Sequence, residues 1–298
     1  MTPLRLGLIG AGRWGRVCVR AIQALAPRVR LSAVASGNSE TAGLVECPVF
    51  PHWRDLLGAG LCDALVVTTP PSTHAEITVA ALGQGLPVFV EKPLTLRRDE
   101  ALAIKAAAIA TGLPVMVDHV HLFSPAFRHL LTLVCRCGPV RTISGQAGKP
   151  GATRADASVL WDWGAHDVAM CLAVMDQSPH AVSARIAERP AYADGMGEIV
   201  ELELAFSSAI ASFRLGCLPE RLRRFQVECD GGMVVYDDLS ASKLCVNGVP
   251  VAIEAAQPLT VALSEFCHSV RDGRQDMQAL ELAVNTVDIL ARAEAGLR

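Results

Sequence analysis

Aromatic side chains are scarce in this sequence. They make up 5% of 298 residues, against 51% apolar residues overall, so the core must be built from Ala, Val and Leu. That composition suits an α/β protein. Charge of one sign is also lacking: 27 Lys and Arg against 30 Asp and Glu leave a net charge of −3. No basic cluster is interleaved with aromatics, so nothing electrostatic calls for nucleic acid or an anionic membrane as partner. No uncharged apolar run reaches the roughly eighteen residues that a membrane span needs. The opening Met1-Thr2-Pro3-Leu4 runs directly into a strand pattern rather than a secretory leader, so a cytoplasmic protein is expected. Ten cysteines are present but no C-x-x-C pair, and most sit in apolar contexts such as Val17-Cys18-Val19. They read as small buried hydrophobes rather than as a metal or disulfide framework.

What is present is alternation. Apolar strand patterns at Leu4–Ile9, Leu31–Ala35, Ala64–Thr68, Val88–Val90 and Val115–Val117 are separated by helical patterns, among them Arg13–Leu25, His74–Gln84 and Arg97–Thr111. Strands spaced by helices of this length pair in parallel through right-handed crossovers, giving a doubly wound Rossmann sheet over residues 1–120. After Pro125 the pattern changes. Helices fit Ala126–Cys135 and Trp163–Met175, followed by alternating segments from His180 to Tyr236 without helices between them. Asp230-Gly231-Gly232 and Asn247-Gly248 read as hairpin turns. Residues 121–298 are therefore expected to form an α+β domain with an open, mainly antiparallel sheet of consecutive neighbouring strands. Two closing helices, near Val261–Arg271 and Ala279–Ala295, are expected to pack back on the first domain. An open sheet with one exposed apolar face calls for a partner, so a homodimer or homotetramer through that face is expected.

Gly10-Ala11-Gly12-Arg13-Trp14-Gly15 is a G-x-G-x-x-G turn that follows a strand and opens a helix, the context in which this motif binds a dinucleotide pyrophosphate. The second strand ends in Ser36-Gly37-Asn38-Ser39 rather than in the acid that usually holds a ribose 2′-hydroxyl. Ser36 and Asn38 can bond a 2′-phosphate and Arg13 can add a charge contact, so NADP is favoured; Glu40, slightly further on, keeps NAD open. Thr69, Pro70 and His74, after the strand at 64–68, lie on the cofactor side of the sheet. So do Glu91 and Lys92 in Glu91-Lys92-Pro93, because open α/β sheets bind ligands at the carboxyl ends of their strands.

Hydride transfer from an alcohol needs a group that takes the hydroxyl proton. Histidine, with an unperturbed pKa of about 6.5, suits that role. Lysine, near 10.4 when unperturbed, serves more readily as a cationic donor to the substrate oxygen. Lys92, Asp162 and His166 are the candidate catalytic set. Asp162 and His166 lie four apart and share a face if one helix holds both. Asp162 also fits a helix N-cap, and His166 a satisfied helix histidine. His119, His121 and Trp161 are further candidate substrate contacts. His119 and His121 would share a face of a strand, yet without a third ligand at a matching spacing no metal site is expected. His74 fits either the nicotinamide end or a helix cap, and Trp161 and Trp163 fit either sugar stacking or packing.

The glycine turn, the Pro70-Pro71 segment, Glu91-Lys92-Pro93 and Asp162-x-Gly164-x-His166 together resemble the Gfo/Idh/MocA oxidoreductase family, over essentially the whole chain. The resemblance implies a Rossmann domain followed by an α/β domain with an open antiparallel sheet. It also implies NAD(P)-dependent oxidation or reduction of sugars, polyols, inositols or nucleotide sugars. The family's catalytic lysine, aspartate and histidine fall on Lys92, Asp162 and His166. Two departures stand out. The acid that many members carry three positions after the histidine is Ala169, with Asp167 as a substitute, and the usual Asn-Arg-Arg-Phe is Val120-His121-Leu122-Phe123. These departures leave a reductase of an imine or dihydrodiol as an alternative; because a dinucleotide fold does not by itself imply turnover, a non-catalytic NAD(P)-binding regulator is the other.

Overall fold

The computed structural model describes residues 2–153 and 158–297. The chain divides into two compact units. One comprises Met1–Asp118 with Gln257–Val284, and the other His119–Ala256 with Asn285–Arg298.

The first unit is built on six strands: β1 (Leu4–Ile9), β2 (Val29–Ala35), β3 (Val49–Phe50), β4 (Ala64–Val67), β5 (Val88–Glu91) and β6 (Val115–Asp118). All pair in parallel in the order β3-β2-β1-β4-β5-β6. That is the dinucleotide-binding order, whose ligand crevice lies where the winding reverses, between β1 and β4. The strands are near-continuous apolar runs because helices cover both faces; every residue of β4 is buried. The helices of this part are α1 (Arg13–Gln23), α2 (Trp53–Gly58), α3 (His74–Gly83) and α4 (Arg98–Thr111), the last stopped by Gly112 in the left-handed region at φ 67°. Strand β3 and helix α2 were not among the expected elements.

The second unit opens with α5 (Pro125–Val134), then β7 (Val140–Gly148) and α6 (Ala165–Met175). Its remaining strands are β8 (Ala181–Glu188), the small hairpin β9 (Ala191–Tyr192) and β10 (Gly195–Met196), β11 (Ile199–Ala205), β12 (Ile210–Gly216), β13 (Leu222–Cys229), β14 (Gly232–Asp237), β15 (Leu244–Val246) and β16 (Val249–Pro250). Eight of them form one sheet in the order β16-β15-β14-β13-β7-β12-β11-β8. All neighbours are antiparallel except β7 and β12. The mainly antiparallel sheet is as expected, but its strands are not all consecutive neighbours. Strand β7, far earlier in the chain, inserts between β12 and β13. The turn Asn247-Gly248 has φ 50° and 80°, as a tight hairpin requires.

The two faces of this sheet differ. Phe213, Phe225, Leu202, Leu204, Leu215 and Val227 are buried on one side. The other side presents Ser144, Gln146, Arg185, Glu203, Ser212 and Arg224, which line an open hollow of about 680 Å³. Arg214 bonds Glu188 at 2.5 Å and Glu201 at 2.8 Å across it, and Arg185 also pairs with Glu201. The open face is therefore polar and charged, not apolar as expected. Strict period-two alternation sends every second side chain of these strands to solvent.

The closing helices are α7 (Pro258–Asp272) and α8 (Met277–Gly296). Helix α7 lies in the first unit, where Phe266 meets Phe89 of β5 with ring centroids 5.7 Å apart. Among the described residues, no helix is long and apolar enough to cross a membrane.

Candidate active site

The glycine turn is shaped by close backbone approach. Gly10 has φ 97°, a region that side chains rarely enter, and the Thr68 hydroxyl donates to its carbonyl at 2.5 Å. A Cβ on Gly15 would stand 2.1 Å from the Gly10 carbonyl oxygen, so this position admits only glycine. Gly12 is different. It is exposed, with φ −67°, and a Cβ there would meet nothing within 4 Å. The space in front of Gly12 is left open by the protein, and the first turn of α1 has no side-chain cap. A phosphate placed there would take the uncapped N–H groups. These residues fit a dinucleotide.

At the end of β2, the Ser36 hydroxyl accepts from the Asn38 backbone N–H at 3.2 Å and from the Thr41 hydroxyl at 2.9 Å. The Asn38 side-chain oxygen accepts from the Glu40 N–H at 3.0 Å. Both acceptors are thus engaged, which leaves the Ser36 proton and the Asn38 amide N–H groups as the donors these side chains can offer. Arg13 is exposed and Trp14 half-buried. Glu40 lies 3.8 Å from Arg16.

Thr69 and Pro70 lie after β4, where the Thr73 hydroxyl bonds the Thr69 hydroxyl at 2.7 Å and the Pro70 carbonyl at 2.8 Å. His74 is fully buried, at the first position of α3, and its ring is turned to loop carbonyls rather than capping that helix. Its ring nitrogens lie 2.8 Å from the Thr69 carbonyl and 3.0 Å from that of Pro93, so it ties the Thr69 loop to the segment holding Lys92. Burial pulls its pKa below the ordinary histidine value, against the pull of those carbonyls.

Lys92 is half-buried at the carboxyl end of β5. Its neighbour Glu91 pairs in register with Asp118, the last residue of β6. Asp118 is 1% exposed, and both carboxyls are pushed up in pKa by burial, with Lys92 pulling each back. Sequence reasoning passed over Asp118. Its signal was an acid closing an apolar strand next to the one that ends in Glu91.

In the second unit, Asp162 lies in a π-helical turn, Leu160–Gly164, that runs straight into α6. The expected regular helix from Trp163 is thus entered through a wider turn, a form often found at functional sites. Asp162 caps neither segment with its side chain. His119 and His121 do not share a strand. β6 ends at Asp118, His119 is buried just beyond it, and His121 lies in a short 3-10 turn, Val120–Phe123. His121 Nδ1 is 2.9 Å from the Tyr236 hydroxyl, and its ring meets that of His166 edge-on at 4.9 Å between centroids. The unit therefore brings His166, His121 and Tyr236 together; Tyr236 was not foreseen. Trp161 is 4% exposed, so its ring packs, while Trp163 is half-buried. Asp167 does not stand in for the acid missing at Ala169. It is buried and bonded to Arg223 at 2.7 Å, with burial raising its pKa and Arg223 opposing that.

The family description "Oxidoreductase family, NAD-binding Rossmann fold" matches residues 4–119. A candidate oxidoreductase of known structure from Magnetospirillum magnetotacticum MS-1 is 38% identical, covering 98% of this chain and 99% of that one, with a TM-score of 0.91. The chain belongs to the Gfo/Idh/MocA oxidoreductase family. Among curated relatives, UDP-N-acetylglucosamine 3-dehydrogenase from Acidithiobacillus ferrooxidans is 30% identical over 189 residues, 62% of this chain and 58% of its own length. Inositol 2-dehydrogenase from Klebsiella pneumoniae is 33% identical over 115 residues, 37% of this chain and 34% of its own length. The matches thus span less than two thirds of these curated relatives.

Proposed function

We propose that this protein is an NAD(P)-dependent dehydrogenase acting between a hydroxyl and a carbonyl carbon of a sugar, polyol or nucleotide sugar. The observation that carries the reading is Lys92 at the carboxyl end of β5, in a sheet whose strand order and open glycine turn fit a dinucleotide. Relatives named for inositol and UDP-N-acetylglucosamine oxidation support the substrate class.

The bound nicotinamide would supply the hydride chemistry. The chain's own residues do the rest. Gly10, Gly12 and Gly15 with the first turn of α1 hold the pyrophosphate, and Thr69, Pro70 and the loop tied by His74 border the nicotinamide. Lys92 donates to the reacting oxygen, His166 takes or returns the hydroxyl proton, and Asp162 orients the substrate hydroxyl. Their joint action rests on the match of Glu91-Lys92-Pro93 and Asp162-x-Gly164-x-His166 to the family. His121, bonded to Tyr236, holds His166 in place.

NADP is the preferred cofactor in this reading, because Ser36 and Asn38 present donors and no carboxylate stands at the end of β2. Ten free thiols suit a reducing cytoplasm. The Arg and Glu groups of the open sheet face pair with each other within one chain, so a homo-oligomer through this face would rest on polar rather than apolar contacts.

A panel of inositols, sugars and UDP-sugars, assayed with each cofactor by nicotinamide absorbance, tests the reading. Turnover of at least one such alcohol, faster with NADP than with NAD, is expected. No turnover across the panel with either cofactor would overturn it.

A further inference from the structure

Glu91 and Asp118 close neighbouring parallel strands in direct register, so their side chains leave the sheet on the same side, about 5 Å apart at the backbone. One oxygen of Glu91 and both of Asp118 are shut off from solvent, and so is the Trp14 indole nitrogen. Trp14 comes from the glycine turn and Lys92 is the next residue of the chain. The groups that face the pair are Trp14 and the Cys18 thiol from α1, and Lys92 after β5. Burial and the two acids keep the Cys18 thiol protonated. The charges these groups bring are two carboxyls and one ammonium.

Two adjacent carboxylates in a water-poor site cannot both stay ionised; one holds a proton that the other shares. We propose that Glu91 and Asp118 hold one proton between them, present a single negative charge to Lys92, and together position its ammonium. The charge balance is then one to one. Trp14 draws Asp118 back towards its charged form, which links the glycine turn to the pair. Desolvation raises both acids above the ordinary carboxylate range, and their mutual repulsion raises Glu91 further. Asp118 is in this view a positioning residue, acting through Lys92. That role rests on the proposed reaction; the shared proton does not.

Infrared spectroscopy of the full-length protein at neutral pH tests the proton directly. A protonated-carboxyl C=O band is expected in the unmodified protein and should be absent in both Glu91→Gln and Asp118→Asn, since each leaves one acid ionised beside Lys92. No such band, or one that survives both substitutions (Asp167 being another buried acid), would overturn the shared proton. Kinetics tests the positioning. Each single variant should lower kcat by less than about tenfold, whereas the double variant should fall more than about tenfold below the product of the two. KM for the dinucleotide should move less than kcat. An additive double variant would overturn the positioning role. If the double variant does not fold, the spectra and the kcat-against-KM split of the two near-isosteric singles still decide both points. If no substrate turns over, the infrared outcome stands on its own.

Discussion

Substituting Gly12 by alanine separates the cofactor's needs from the fold's. The backbone at Gly12 has φ −67°, open to any L-residue, and a Cβ there would meet no protein atom within 4 Å. Folding stability should therefore change by less than about 1 kcal/mol, the scale of a helix-cap change. A bound pyrophosphate would meet the new methyl group. Overpacking of that kind costs about 1–3 kcal/mol, which corresponds to roughly a 5- to 150-fold loss of dinucleotide affinity. The control is Gly15→Ala, whose Cβ would lie 2.1 Å from a backbone oxygen of the turn. That variant should lose stability as well as affinity. Isothermal titration with NADP, alongside thermal unfolding of the free protein, reads both quantities. Unchanged NADP affinity in Gly12→Ala would refute the placement of the pyrophosphate at this turn.

Three further outcomes follow from the geometry. Arg223→Met should destabilise the protein by about 3–5 kcal/mol, because Asp167 would be left buried without its cation; urea unfolding measures this. Tyr236→Phe removes the hydroxyl 2.9 Å from His121 Nδ1 and should lower kcat while leaving NADP affinity within about threefold, since no cofactor contact changes. Glu91 and Asp118, with pKa values raised on folding, bind more protons in the folded than in the unfolded state. Their contribution to stability is therefore greatest below about pH 4 and declines as pH rises through about 6. The stability difference between the unmodified protein and the Glu91→Gln/Asp118→Asn double variant, followed across that range, should shift in favour of the variant as pH rises.

The parallel sheet was legible because its strands are short apolar runs between helices, and the hairpin turns because Asn247-Gly248 and, after Asp230-Gly231, Gly232 permit positive φ. Strand β7 was not. Val140–Gly148 carries Thr, Ser, Gln and two glycines, and it is held as a strand by pairing to β12 and β13 on either side. The π-helical turn before α6 hid for a related reason, since Trp161 and Leu160 have the apolar pattern of an ordinary helix start. Reading the open sheet face as apolar took the chain's overall hydropathy for that of one face, whereas the charges of β11, β12 and β13 alternate onto it. Lys92 stood out as a charge ending a core strand. Asp118 stood in the same position on the adjacent strand, but its partnership with Glu91 is a matter of register between distant segments, which no local pattern carries. Tyr236 reached His121 in the same non-local way.

The most direct test of the central claim is the Lys92→Met variant, assayed on the best alcohol from the panel with its dinucleotide affinity measured in parallel. Removing a group that acts on the reacting oxygen should lower kcat by about 100-fold or more and leave NADP affinity within a few-fold. Turnover equal to that of the unmodified protein would contradict the account.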